Sequence, residues 1–149
     1  MTPTPVLPDA VSVLLVHDRV TPSPGAALSP ILIARRLDRS LRAIQPEVQF
    51  ENPVETLYAA FTYDKFQDGV RWTALWFRDS EVVCLETQPW ESGTGGYGYS
   101  ECLPLGGWSP GEYEVQMFYA DKWMVSVRFA VVGLPPRPTP TPPAGTPTP

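Results

Sequence analysis

The chain has 149 residues, 19 prolines and a formal charge of -5 at pH 7, with 18% charged and 11% aromatic side chains. No run of 18 apolar residues could cross a bilayer as a helix, and the acidic balance is wrong for a partner made of phosphates, so the chain inserts in no membrane and binds no nucleic acid on this reading. The length suits one domain.

The head, 1–30, is rich in proline. Thr2-Pro3-Thr4-Pro5 and Thr21-Pro22-Ser23-Pro24 read as extended, solvated segments, because proline fixes φ and removes a backbone donor. Within the head, Val11–Val16 is too apolar for a free linker and reads either as an extra short edge strand or as a remnant of whatever precedes the domain. The Thr-Pro sequence after Met1 has no basic or apolar signal region; either the chain is an excised piece of an exported protein, the preferred expectation, or the start is as written and the protein stays inside.

Residues 31–44 stay ambiguous. Ile33, Leu37, Leu41 and Ile44 have near-helical spacing, with Ser29 as a cap and Pro30 as the first helical residue; read as strands, Ile31–Leu37 is an edge strand.

From Glu55 the period is two. Leu57, Ala59, Phe61 and Tyr63 share one face, Trp72, Ala74 and Trp76 another, and Asp79-Ser80 offers a short turn before 81–86 runs back. Tyr113, Val115, Met117 and Tyr119, then Trp123, Val125, Val127, Phe129 and Val131, continue the alternation on either side of a turn at 120–122. Strands with aromatic and β-branched enrichment and no long helix between them predict an all-β, antiparallel sandwich over 31–133. The tail, 134–149, is a Pro/Thr-rich linker, expected to be disordered like the head.

Cys84 and Cys102 flank a glycine-rich segment holding Gly93, Gly95, Gly96 and Gly98. An even count without CxxC or a nearby histidine points away from zinc and toward a disulfide, which would remove about 3 kcal/mol of loop-closure entropy from the unfolded chain and favours an oxidising compartment. The alternative is two free thiols buried as small apolar groups.

Catalytic patterns are sparse. The single histidine, His17, lies in the head, and neither a Walker loop, GxGxxG nor HExxH occurs. Glu112 with Glu114 and Asp64 with Asp68 are spaced carboxylates, but too few oxygens surround them for a calcium site. The expectation is no enzyme, no cofactor and no metal.

Two sets of residues remain as candidate surfaces. On the outer face of the second sheet Leu75, Phe77, Phe118 and Met124 would form an apolar interaction patch, unless Val11–Val16 covers it. The loop aromatics Trp90, Tyr97, Tyr99 and Trp108 could stack on sugar rings, making a carbohydrate-binding module the alternative function and a glycan the alternative partner; the competing role for Trp90 and Trp108 is to cap the core.

The string Leu57-Tyr58-Ala59-Ala60-Phe61-Thr62-Tyr63, then Gly69, Trp72, Trp76-Phe77-Arg78-Asp79, Trp90, Gly93 and Gly95, and finally Trp108-Ser109-Pro110-Gly111-Glu112-Tyr113 before Phe129-Ala130-Val131, resembles an immunoglobulin-like β-sandwich module found in exported proteins of Chloroflexus-type bacteria between Thr-Pro linkers. The resemblance spans about Ile31 to Val132. It departs in Asp79-Ser80, where Asp-Gly is common, and in the cysteine pair, and it carries no catalytic residues. It favours the strand reading of 31–44 and implies about seven strands. The function expected from it is a noncatalytic accessory module, extracellular or at the cell surface, acting as a spacer or protein-interaction domain toward neighbouring domains or another protein.

Overall fold

The computed structural model describes residues 5–17, 22 and 24–135. Among them one helix, α1 (Asp9–His17), precedes eleven strands: β1 (Ala27–Leu28), β2 (Leu32–Ala34), β3 (Arg36–Leu37), β4 (Ala43–Ile44), β5 (Gln49–Glu51), β6 (Leu57–Asp64), β7 (Arg71–Arg78), β8 (Glu81–Pro89), β9 (Gly96–Cys102), β10 (Gly111–Tyr119) and β11 (Lys122–Val132). The chain is an all-β sandwich. Eleven strands replace the expected seven or so, because the segment 27–51 is split into five strands of two or three residues. The Pro-rich tail beyond 135 and most of the Thr-Pro repeats of the head lie outside the described residues.

One sheet is built on β6, with β1 and β2 along one edge and β9 along the other. The other has the order β5-β11-β10-β7-β8, antiparallel throughout except for β5, which runs parallel to β11. The chain thus pairs with the first sheet as β2 and crosses to the second as β5 before entering β6. Two layers with this exchange of an N-terminal strand follow the immunoglobulin plan.

The alternating residues meet as expected. Leu57, Ala59, Phe61 and Tyr63 from β6 face Trp72, Ala74 and Trp76 from β7 and Tyr113, Val115, Met117 and Tyr119 from β10 across a buried core. Aromatic contacts carry much of it: Tyr113 stacks on Phe129 at 5.3 Å, and Trp108 sits 5.1 Å from Tyr113 and 6.1 Å from Trp76. The Tyr113 hydroxyl donates to the Ser109 carbonyl at 2.6 Å, so the ring turns inward while its polar end is satisfied a few residues upstream, as in a tyrosine corner.

The stretch 31–44 is strand, not helix. Ile31 and Ile33 are buried on alternate positions, and Leu41 takes φ +69°, which breaks any helix there. Sheet pairing begins at Ala27, ahead of the expected domain start at 31.

Val11–Val16 is helix rather than strand. Pro8 opens it, its carbonyl accepting from Val11 and Ser12 at 3.0 Å, and Asp9 lies in the first turn, where an acid complements the exposed N–H groups. Leu7, Val11 and Leu15, four apart, form one stripe that packs on Leu75, Phe77 and Phe118.

Candidate binding groove between the edge strands

The two sheets are tied together on the side where β8 and β9 are both edge strands. Cys84 on β8 and Cys102 on β9 form a disulfide with Cα atoms 5.9 Å apart, closing the expected pair. Because side chains alternate along a strand, the inward positions continue from Cys84 to Glu86 and Gln88 on β8, and from Cys102 to Ser100 and Gly98 on β9. Ser100 is fully buried, accepts from the Trp76 indole N–H at 3.0 Å, and donates in turn to the Glu86 carboxylate. Burial raises the Glu86 pKa; the Ser100 hydrogen bond works against that shift, and the Glu101 charge adds to it.

One step further, Gly98 contributes no side chain, and aromatic rings take the space. A Cβ at Gly98 would come within 2.8 Å of the Phe61 ring and 3.5 Å of Trp90. Trp90 packs 5.8 Å from Trp72 and donates its own N–H to the Gly93 carbonyl at 2.7 Å. The Gly93 amide is held by Asp68 at 2.9 Å, so the glycine-rich loop is pinned to the loop after β6.

Here the sandwich side opens into a groove of about 320 Å³. Its lining takes in Trp72 and Trp90, Glu86 and Gln88 from β8, and Tyr97, Tyr99 and Glu101, which alternate to the outward face of β9, together with Leu41, Ser92 and Gly98. Tyr97 is 45% and Tyr99 39% exposed, so their rings are presented to solvent. Tyr99 leans edge-on against Tyr58 at 6.0 Å, and the Arg42 guanidinium lies 5.9 Å from the Tyr97 ring centre, which limits their movement. The Trp72 N–H is buried and has no hydrogen-bond partner, a costly state for a donor.

Of the four expected sugar-stacking aromatics, the groove gathers Trp90, Tyr97 and Tyr99. Trp108 is elsewhere: it is fully buried, donates to the Glu55 carbonyl and belongs to the core beside Tyr113 and Phe129. Glu86, Gln88, Glu101 and Trp72 were not expected at such a site. The signal was present, because a polar Glu86 and Gln88 in phase with an inward Cys84 contradict a purely apolar strand face.

The apolar patch is covered rather than open. Leu75 and Phe118 are fully buried beneath α1 and Phe77 is half-buried there. Met124 does not belong to this face. The β10–β11 register shifts between Met117 and Phe118, so that Phe118 pairs with Trp123 while Met117 pairs with Val125. Met124 is the extra residue of this bulge, and it turns toward the main core.

The remaining candidates are accounted for structurally. Glu114 accepts from Arg128 at 2.9 Å and from Gln116 on the sheet surface. His17 ends α1, and its side chain lies outside the described residues. A larger hollow of about 480 Å³ beside β3–β5 is lined by Arg35 and Glu51, but the Arg35 guanidinium is engaged by the carbonyls of Glu51 and Pro53 at 2.8 and 3.0 Å. No described helix is long and apolar enough to cross a membrane. No protein-family model matches the chain, and no curated protein matches it.

Proposed function

We propose that the chain is a noncatalytic, immunoglobulin-like accessory module of an exported or cell-surface protein, resembling the modules of Chloroflexus-type bacteria, and that it serves as a rigid spacer between Pro-rich segments. The observation that carries this reading is the Cys84–Cys102 bridge across the two sheets. It joins β8 and β9, an edge strand of each sheet, and such bonds persist in oxidising compartments. The buried outer face under α1 supports the spacer role over an interaction role for Leu75, Phe77 and Phe118, since the chain covers that patch itself. The test is intact mass, with and without reduction, of the protein isolated from its natural host. A mass lower by two hydrogens before reduction, in the exported fraction, is the expected result; free thiols in a cytoplasmic protein would overturn the reading.

A second reading is favoured by one arrangement: the groove sets exposed Tyr97 and Tyr99 beside Glu86, Gln88 and Glu101. Aromatic faces with polar groups at their margin suit a glycan, and the module would then also tether its parent protein to a polysaccharide. Glycan-array binding that falls on Tyr99→Ala is the expected outcome, and a silent array counts against it.

A further inference from the structure

We propose that β9 is the contact strand of a homodimer, in which a second copy of the chain lays its own β9 antiparallel to the first about a twofold axis at Tyr99. The directions of the main-chain groups carry this. The Thr62 carbonyl accepts from the Ser29 N–H at 2.9 Å, on the side of β6 away from β9. In an antiparallel sheet the N–H and C=O of one residue point to the same side, and the side alternates along the strand. Phe61, Ala59 and Leu57 therefore turn theirs toward β9, where they meet Gly98, Ser100 and Cys102. Those of Tyr97, Tyr99 and Glu101 point the other way, where no described strand pairs with β9. Such an edge is a template for another strand unless it is short, bulged or blocked by lysine or proline. β1, β2 and β5 are two or three residues long, and β8 carries a bulge and ends at Pro89. β9 runs seven residues in unbroken register with β6 and holds none of these blocks.

A second copy matches that edge at every point. With Tyr99 opposite Tyr99 of the second copy, Tyr97 faces its Glu101 and Glu101 faces its Tyr97, so the free N–H and C=O groups of all three residues close hydrogen bonds on both strands. The two Glu101 side chains then lie roughly 14 Å apart along the strands. Each instead meets the other copy's Tyr97, whose ring has the Arg42 guanidinium 5.9 Å from its centre. Arg42 gives its Nε to Asp38 at 3.3 Å, which leaves its Nη groups for that carboxylate. Between Tyr97 and Glu101 the inward residues are Gly98 and Ser100, so no bulk opposes the approach on that face. The Pro-rich ends of the chain cannot complete the ladder, because proline has no N–H to give. A paired copy fills the groove along β9, so dimer and glycan exclude each other there.

Sedimentation equilibrium of the disulfide-bonded protein from ~1 μM to ~1 mM, with amide exchange followed by NMR, tests this. A monomer–dimer equilibrium is expected. Tyr99→Pro, which removes a central donor, and Glu101→Lys, which sets a cation against Arg42, should each weaken it about tenfold or more. The amides of Tyr97, Tyr99 and Glu101 should exchange more slowly as the dimer forms, while those of Gly98 and Ser100, bonded to β6, stay slow at every concentration. Near-ultraviolet circular dichroism checks that the variants fold; Glu101→Lys, at an exposed position, decides the matter if Tyr99→Pro does not. A monomer throughout, a dimer unweakened in the folded variants, or a dimer that leaves the Tyr99 amide in fast exchange overturns the proposal.

Discussion

The indole nitrogen of Trp76 lies 3.0 Å from the hydroxyl oxygen of Ser100, a hydrogen bond that passes from β7 to β9 through the interior of the sandwich. Both residues are fully buried, and the same hydroxyl reaches Glu86. The bond therefore couples the core tryptophan to the floor of the groove.

Ser100→Ala removes the acceptor and leaves the Trp76 N–H buried and unsatisfied. The expected cost is about 2 kcal/mol, measured as a lower denaturant midpoint with an unchanged slope. Ser100→Thr keeps the hydroxyl and is expected to lose less, unless the added methyl is refused by the core.

Glu86 gives a pH signature. Its pKa is raised in the folded protein, mainly by burial, so the native state holds its proton to higher pH than the unfolded chain does. Stability from this group is fully present below the ordinary glutamate pKa and is lost as pH rises through the folded value. Glu86→Gln should remove that component. The variant should be more stable than the parent at neutral pH, and the difference should shrink on acidification toward about pH 4, near the ordinary glutamate pKa. Melting temperatures of the two proteins across that range would show it, and a constant difference would count against the assignment.

Val11→Asp should detach α1 without unfolding the sandwich. Val11 is buried with Leu75 and Phe118, and a carboxylate there has no partner. Lifting the helix bares those side chains, so the dye 8-anilinonaphthalene-1-sulfonate should bind and fluoresce while the near-ultraviolet circular dichroism of the core tryptophans persists. Loss of both signals would show α1 to be integral to the core.

Removing the disulfide by Cys84→Ser with Cys102→Ser should cost about 3 kcal/mol, the loop-closure entropy of a crosslink spanning 18 positions. Chemical denaturation of the double variant against the oxidised parent measures it. A loss near zero would mean that Glu86 and Ser100 hold the two edges without the bridge.

The strands from Leu57 onward were legible because each buries one face only, and a one-sided strand writes its orientation into a two-residue period. The same pattern misled at Val11–Val16, where β-branched residues suggest a strand; the four-residue spacing of Leu7, Val11 and Leu15 under Pro8 is the signal that decides for helix. At 31–44 the spacing of Ile33, Leu37, Leu41 and Ile44 imitated a helix, while pairing with β6, a long-range partner invisible to local pattern, imposed strands. Met124 was misplaced because it is itself the extra residue of a bulge, where the inward–outward alternation is interrupted, while Val125, Val127, Phe129 and Val131 keep the expected phase. Three of the four aromatics came together at the groove because β9 alternates in register with β6 and the loop before it returns Trp90 inward; Trp108 looked equivalent in sequence and differs only in where its chain crosses the sandwich end.

The Cys84–Cys102 bond encloses the glycine-rich segment at 92–96, which is also the stretch least encumbered by side chains. A peptidase that cuts there severs the main chain but not the molecule. The two pieces stay joined through sulfur and through the pairing of β6 with β9, so a nicked domain would travel as one band on a gel run without reductant and as two with it. Damage of this kind would leave the two ends of the chain covalently connected.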